Sequence, residues 1–433
     1  MESYLALEKT LLLLCADLAI IIGSARVFGW LFGKVGQPPV VGEILAGVIL
    51  GPSLAGRLYP GAMEAMLTPK TTGVLSAMAQ VGLVLLMLLI GLEFPFDRLR
   101  DAARASFFVA VAGIAVPFAS SYALAGYLFG ISPATAPELA FRLFFATAVS
   151  ITAIPVMGRI LMHTRLTRTR MGLTSITAAA IDDVLGWILL GAVVAMATHG
   201  RADIGSLARS LAGVAALGGA FWALGRFGLS RLTVARAASG GLPAGTLAAV
   251  LVLVFLAATA TNALGVFSIF GGFLCGIAGS FNRNLAEGIQ ASIGDLVAIL
   301  FLPIFFVFSG LRTDIGSLGS DSRLWMALVL VILVACASKF GATALAARAS
   351  GLAWKESLSI GLLMNTRALM ALVVINIGAD MGVISPPAFF WLVTMALFTT
   401  VITTPILTRI YPSPEAAGSW DETPAESAPA RAR

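Results

Sequence analysis

Apolar runs of similar length alternate along the chain with short clusters of glycine, proline and charged residues. A helix needs about 20 apolar residues, at about 1.5 Å rise per residue, to cross the hydrocarbon core of a bilayer. The pattern therefore predicts an all-α polytopic membrane protein with about thirteen transmembrane helices. The expected spans lie near residues 7–32, 39–56, 73–93, 105–130, 139–161, 171–198, 205–226, 243–263, 265–281, 293–311, 324–348, 355–379 and 386–410.

The composition agrees with a membrane protein. The chain is 58% hydrophobic and 12% charged, whereas a soluble domain is about 25% charged. The formal charge of +6 comes from basic residues between the apolar runs, so it does not indicate nucleic-acid binding. The three cysteines lie within apolar runs and the two histidines lie in connections. We expect no disulfide, no Cys/His metal site and no cofactor.

Basic residues are shared unequally between alternate connections. One side of the membrane receives Lys34, Arg98, Arg100, Arg104, Arg165, Arg168, Arg170, Arg226, Arg231, Arg236, Arg283, Arg348 and Lys355. The other side receives Arg57, Lys70, Arg201, Arg312 and Arg323. Because cytoplasmic loops are enriched in lysine and arginine, we expect the N-terminus outside and the C-terminus in the cytoplasm, in a cell inner (plasma) membrane. Residues 412–433 are rich in Pro, Glu, Ala and Ser, which predicts a disordered tail without a soluble regulatory domain.

Two adjacent carboxylates, Asp182 and Asp183, stand midway along the apolar run from about Leu173 to Thr198. An ionised Asp at the centre of a span costs roughly 2.5 to 3.5 kcal/mol on insertion scales. Asp182 lies about three turns inside the run, too deep for a helix cap, whose influence fades within one turn. The pair is therefore predicted to serve a function inside the membrane.

The two halves of the sequence share a pattern of small residues. Gly36, Gly42, Leu45 and Gly47 recur at a constant offset as Gly265, Gly271, Leu274 and Gly276. The following span ends in Gly-Leu in both halves, at Gly91-Leu92 and Gly310-Leu311. With about six spans per half and one linking span, the halves must insert in opposite orientations. Inverted repeats are typical of secondary transporters, whose substrate site lies near the midplane.

Two spans are predicted to be broken at membrane depth. In one, Pro155 follows Ser150 and Thr152 inside an apolar helix, where it removes a backbone donor and frees oxygen ligands for a small cation. A simple proline kink is the alternative. In the repeat-related span, the polar residues Asn365, Thr366 and Arg367 interrupt the helix. Arg367 either neutralises charge structurally or couples directly to transport.

Lys339 is the lysine that lies well inside an apolar run, in the eleventh span. A buried ammonium needs a partner, and the acid pair supplies one. Because neighbours on a helix point about 100° apart, one Asp is expected to face Lys339 and the other an ion cavity. The alternative is that Lys339 snorkels to the interface.

Several strings resemble a known family. They are GQPPVVGEILAGVILGPSLAG, SITAIPVMGRIL, AAAIDDVLGWILL, LPIFFVFSGLRTDI and LMNTRALMALVVINIG, and the match extends to about Tyr411. They are similar to the second family of monovalent cation:proton antiporters, which includes bacterial sodium/proton antiporters and plant cation/proton exchangers. The resemblance implies two broken helices that cross and a homodimer whose core domain moves like an elevator against a dimerisation domain. The dimerisation part would be about 1–94 and 243–312, the core about 105–198 and 324–411, and the linker helix about 205–226.

The resemblance also implies roles for the membrane charges. Asp183 matches the family's cation- and proton-binding aspartate. Asp182 matches a position that is Asp in electrogenic members and Asn in many others. Lys339 matches the lysine that pairs with the position of Asp182. We therefore expect electrogenic exchange of sodium, or alternatively potassium, for protons, with the cation held by Asp183, Asp182 and Thr152. An electroneutral potassium/proton exchanger and a non-transporting membrane sensor are the alternatives. Enzyme functions fit poorly, since adjacent acids on one helix cannot converge on one water as a protease requires.

Overall fold

The computed structural model describes residues 2–59, 61, 68–93, 99–164, 166–167, 169–199, 204–231, 240–264 and 267–411. These residues form helices and connections, without a strand among them. The predicted tail, residues 412–433, and Gly265 of the repeat lie outside the described residues.

The helices occur in the order that the apolar runs predict. They are α1 (Glu2–Lys34), α2 (Pro39–Leu50), the short α3 (Ala55–Leu58), α4 (Pro69–Leu92), α5 (Leu99–Ile131), α6 (Glu138–Ser150), α7 (Ile154–His163), α8 (Arg170–His199), α9 (Ile204–Ala223), α10 (Ala244–Ala263), α11 (Ser268–Ser280), α12 (Arg283–Leu296), α13 (Leu302–Leu311), α14 (Ser322–Ala349), α15 (Trp354–Met364), α16 (Leu369–Asp380) and α17 (Pro386–Ile410). A π-helical turn, Val297–Phe301, joins α12 to α13.

Ten stretches of the described chain are helical, long and apolar enough to cross a membrane. The three remaining expected spans correspond to α9, to the shorter α11, and to α6 and α7 together. An interruption separates α6 from α7. The prediction of an all-helical polytopic membrane protein is confirmed.

Several helix ends follow from local chemistry. Pro39, Pro69 and Pro386 stand in the first turn of α2, α4 and α17, where a missing N–H removes no helical hydrogen bond. Thr68 caps α4 by accepting a hydrogen bond from the Thr71 N–H at 3.3 Å. Asn282 caps α12 in the same way, accepting from the Leu285 N–H at 3.1 Å. These positions explain why the spans begin where they do.

The helices pack in two groups. In the first group, α11 packs on α4 and α10, and α2 packs on α1 and α13. In the second group, α5 packs on α6, α8 and α14, while α15 and α16 pack on α17. Contacts between the groups are sparser, such as those of α17 with α2. The division into a dimerisation part and a core part, with its boundaries and any separate movement, stays a prediction.

Glycines that the sequence pattern matches also meet each other in the first group. A Cβ on Gly47 would lie 2.1 Å from the Val307 carbonyl oxygen and 2.8 Å from the Gly310 Cα. A Cβ on Gly276 would lie 2.2 Å from the Leu88 carbonyl oxygen and 2.7 Å from the Gly91 Cα. Each crossing thus joins one glycine from each half of the sequence. The position that Gly47 has in the first crossing is taken by the repeat-related Gly276 in the second. This reciprocity is what two copies of a repeat related by a pseudo-two-fold axis produce.

Candidate ion site

Both predicted helix breaks are present in the second group. The first separates α6, which ends at Ser150, from α7, and its residues Ile151 and Ala153 have extended backbone. The second separates α15, which ends at Met364, from α16. Pro155 stands in the first turn of α7. The alternative of a simple proline kink in a continuous helix is therefore wrong, because Pro155 starts a new helix, where its missing N–H removes no helical hydrogen bond.

The two breaks cross and hold each other through hydrogen bonds. The Ala153 N–H donates to the Thr366 carbonyl oxygen at 3.1 Å. The Thr152 hydroxyl donates to the Met364 carbonyl oxygen at 3.0 Å. Backbone groups that the breaks remove from helices are thus satisfied by the partner break, which explains how irregular backbone is accommodated among buried residues.

Asp182 is held by two donors, one on α14 and one in the first break. The Lys339 Nζ lies 3.2 Å from Asp182 Oδ2, and both side chains are fully buried. The Thr152 N–H donates to the same oxygen at 2.7 Å. Lys339 also donates to the carbonyl oxygen of Ser150, so the lysine joins α14 to the end of α6 and to α8. The alternative in which Lys339 snorkels to the interface is wrong.

Asp183 points elsewhere and is left with spare bonding capacity. Its side chain is 1% exposed, and its Oδ1 has no hydrogen-bond partner among the described residues. In the described part of the chain, Oδ1 of Asn365 in the second break also has no hydrogen-bond partner, while Nδ2 donates to Cys336 Sγ at 3.7 Å. Carboxylate and amide oxygens without a protein donor are suited to a cation or, at the carboxylate, a proton.

The other predicted residues line the breaks in supporting roles. The Ser150 and Thr366 hydroxyls donate to carbonyls three residues earlier, those of Thr147 at 3.0 Å and Leu363 at 2.7 Å. They satisfy the carbonyls that a helix end leaves without partners. Ser150 therefore contributes its backbone carbonyl, and not its hydroxyl, to the bonds around Lys339.

Arg367 is fully buried and binds neighbouring helices. Its Nη2 donates to the Ala335 carbonyl oxygen on α14 at 3.0 Å, and its Nη1 lies 2.9 Å from Met395 Sδ on α17. Its backbone carbonyl accepts from the Thr400 hydroxyl at 2.6 Å. These contacts are those of a residue that holds the second break between α14 and α17.

Sequence reasoning missed two neighbours of the site. Gly113 on α5 gives Lys339 its space, because a Cβ there would lie 2.7 Å from Thr343 Cγ2 and 3.6 Å from Lys339 Nζ. Trp187 lies one turn after Asp183, on the same helical face, and is 1% exposed with Nε1 unpartnered among the described residues. The spacing of four residues between Asp183 and Trp187 indicates that they share a helical face, so Trp187 could be predicted from the sequence. Nothing in the sequence distinguishes Gly113 from the other glycines, of which the chain has 45 in all.

Comparisons with known proteins identify the family. The family described as "Sodium/hydrogen exchanger, transmembrane" matches residues 22–411. The chain belongs to this family. It is 37% identical to the Na(+)/H(+) antiporter NhaS4 of Synechocystis over 94% of this chain and 99% of that protein. It is 36% identical to the cation/H(+) antiporter 20 of Arabidopsis thaliana over 92% of this chain, but spans only 48% of that relative.

The fold agrees with that assignment. The sodium proton antiporter MjNhaP1 of Methanocaldococcus jannaschii superimposes with a TM-score of 0.64 over 94% of this chain and 98% of that chain, at 15% identity. At this identity the likeness concerns the fold. The protein is a multi-pass membrane antiporter that exchanges cations for protons, and it is not an enzyme.

Proposed function

We propose that Asp183 is the carrier group of the antiporter and that it binds a proton and a monovalent cation in alternation. The observation that carries the proposal is the contrast between the two acids. Asp182 accepts hydrogen bonds from Lys339 and the Thr152 N–H, whereas Asp183 is equally buried and its Oδ1 has no hydrogen-bond partner among the described residues. A buried carboxylate is costly when ionised and unpaired, so it favours a proton or a cation as its partner.

The cation site in this proposal combines Asp183 with oxygens of the breaks. Asn365 offers an unpartnered Oδ1. Asp182 and the Thr152 hydroxyl, which already have donors or acceptors, complete the site through their remaining lone pairs. Alternating access follows if the second helix group moves only when Asp183 is neutralised, because carrying an uncompensated charge through an apolar interface is costly.

Sodium is the proposed ion, with potassium as the second candidate. Sodium is named for the Synechocystis relative and for the Na(+)/H(+)-K(+) antiporter GerN of Bacillus cereus, which is 29% identical over 90% of this chain. Potassium is named for the K(+)/H(+) antiporter 1 of Saccharomyces cerevisiae, 30% identical over 88% of this chain, and would accompany electroneutral exchange. The presence of Lys339 beside a second carboxylate favours the electrogenic form of the exchange.

The moving unit is proposed to be the second helix group, with the first group forming a homodimer in the inner membrane. Supporting this, α1 in the first group exposes large apolar side chains, among them Leu12 and Trp30, to lipid or to a second copy. The expected orientation is tested in a variant lacking the three native cysteines. A cysteine at Arg231 should be labelled from the cytoplasm and one at Asp321 from outside, and the reverse labelling would overturn the orientation.

Proton movement driven by sodium or potassium gradients in reconstituted vesicles tests the carrier role. Asp183→Asn should abolish cation-dependent proton movement while the purified protein remains folded. Asp17→Asn is the matched control, since Asp17 is also a buried carboxylate but lies on α1 in the first group. Normal exchange by Asp183→Asn, or equal loss in both variants, would contradict the proposal.

A further inference from the structure

Arg312 connects the two helix groups. It follows α13, in the first group, and its guanidinium contacts α16, in the second group. Nη1 donates to Asn376 Oδ1 at 3.0 Å, and Nη2 donates to Asp380 Oδ1. Asn376 Nδ2 donates back to the Ser309 hydroxyl on α13 at 2.8 Å. The four side chains form one polar network between helices that the proposed transport cycle must separate.

A cavity of about 600 Å³ adjoins this network between α4, α10, α11, α13 and α16. Arg312, Asn376 and Asp380 line it from one side. Polar residues of the first group also line it, among them Ser76, Gln80 and Asn262. Along α16 the lining runs from Asp380 to Val373, which is about one turn from the second break. The cavity therefore leads from a membrane face toward the candidate ion site.

The oxygens that receive Arg312 are those that a cation would use. The carboxylate of Asp380 and the amide carbonyl of Asn376, which accept from Arg312, are oxygen ligands for a hard cation. The guanidinium is always charged and is more weakly hydrated than an ammonium, so it acts here as a cation tethered to the protein. The ion pair is partly exposed, with 30% of Arg312 and 45% of Asp380 accessible. Exposed pairs contribute little to stability, so fold stability alone gives little reason for this pair.

We propose that Asp380 and Asn376 form an access subsite for the transported monovalent cation and that Arg312 is the gating residue that occupies it. A cation arriving from this face displaces the guanidinium from Asp380. The displacement breaks the ion pair between Arg312 and α16 and leaves the Asn376–Ser309 hydrogen bond between α13 and α16. Loading of the cavity therefore weakens the contact between the two helix groups. This inference rests on the proposed movement of the second group.

Cation uptake in right-side-out and inside-out membrane vesicles tests the subsite. Asp380→Asn should raise the apparent KM for the cation at the face of Arg312 by about threefold to tenfold, since it removes an attracting charge and leaves a repelling one. Arg312→Gln should lower the apparent KM at that face, because it removes the tethered competitor. The apparent KM at the opposite face should not change in either variant. Arg323→Gln is the matched control, because Arg323 is expected on the same face but pairs at 2.9 Å with Asp321, away from the cavity.

The double variant Arg312→Asp with Asp380→Arg distinguishes a cation subsite from a simple latch, that is, an ion pair that only holds α13 and α16 together. It restores an ion pair between α13 and α16 but moves the carboxylate to the other helix, so a subsite predicts an altered KM and a latch predicts wild-type behaviour. Equal changes at both faces, or wild-type kinetics in the exchanged variant, would overturn the proposal. If Arg312→Gln does not fold, the apparent KM of Asp380→Asn alone tests the subsite. Asp380→Asn is expected to fold, because the Asp380 side chain is nearly half exposed. Measuring Asp183→Asn in parallel distinguishes the failures, since transport by that variant would refute the carrier role whatever the gating variants do.

Discussion

The Lys339 ammonium lies 3.2 Å from the Asp182 carboxylate, and neither side chain is exposed to solvent. The ion pair engages Asp182, whereas Oδ1 of the adjacent Asp183 has no hydrogen-bond partner within the described ranges. A buried pair is stabilised by mutual attraction only while both partners are present. The pair therefore links the stability of the breaks to the charge state of the site.

Removing one partner of the pair should destabilise the protein more than removing both. We expect Lys339→Ala to lower the stability by about 3–5 kcal/mol, because Asp182 would remain buried with the Thr152 N–H as its remaining donor. Adding Asp182→Asn should recover most of this loss. Thermal unfolding of the purified protein in detergent, analysed as a double-mutant cycle, measures the coupling. Additive effects would show that the two charges do not interact energetically.

The second carboxylate should determine the response to membrane potential. If Lys339 releases its proton to one side when the cation binds and takes up a proton from the other side when the cation leaves, while Asp183 carries a second proton, two protons move against one cation and the cycle carries net charge. A potential then contributes about 2.3 kcal/mol per charge per 100 mV, which is large compared with thermal energy. Asp182→Asn should leave an exchanger that runs on Asp183 but ignores an imposed potassium/valinomycin potential. Wild-type exchange that is itself insensitive to this potential would instead establish one-to-one stoichiometry.

The oxygens of the two breaks should affect affinity more than maximum rate. Asn365→Ala removes an unpartnered buried oxygen, and Thr152→Ala removes a hydroxyl while leaving the backbone bond to Asp182 in place. Both should raise the apparent KM for the cation with a smaller change in maximum rate, since these groups bind the cation without carrying charge. Thr147→Ala is the control, because its hydroxyl is used within α6, at 2.7 Å from the Leu143 carbonyl oxygen. An unchanged KM in both test variants would place the cation away from the breaks.

The glycine crossings should be sensitive to a single methyl group. A Cβ on Gly47 would lie 2.1 Å from a backbone oxygen of α13, and two helix backbones cannot yield as a flexible side chain would. We expect Gly47→Ala to cost roughly 1–3 kcal/mol, as overpacking does in a close-packed interior. Gly276→Ala should cost a similar amount because its position is equivalent. Gly73→Ala on α4 has open space around the added methyl and should not lower the unfolding temperature, because alanine also has the higher helix propensity. A loss equal to that of Gly47→Ala would show that the close crossing is not the cause.

Much of the architecture was predictable because its causes are local in sequence. The length of an apolar run determines whether a helix spans the membrane, and a charge within such a run is costly wherever the helix packs. The order of spans, the acid pair, Lys339 and the polar interruption at Asn365 could therefore be recognised before any packing was known. The matched glycines were also visible, although their pairing across the two crossings was not.

Other features depended on which helix faces meet. The angle between neighbouring residues implies that Asp182 and Asp183 diverge, and the family resemblance implies that Lys339 pairs with Asp182. The contact itself depends on the placement of α14 beside the first break. From the sequence, Pro155 could stand inside a helix or begin one. The structure shows that it begins one, because the second break supplies hydrogen-bond partners for the freed backbone groups. Arg312 and Asp380 are 68 residues apart in sequence. They meet because the two helix groups pack against each other along the cavity, which brings α13 beside α16. Such contacts follow from the packing of distant helices, which no local pattern of apolar and polar residues encodes.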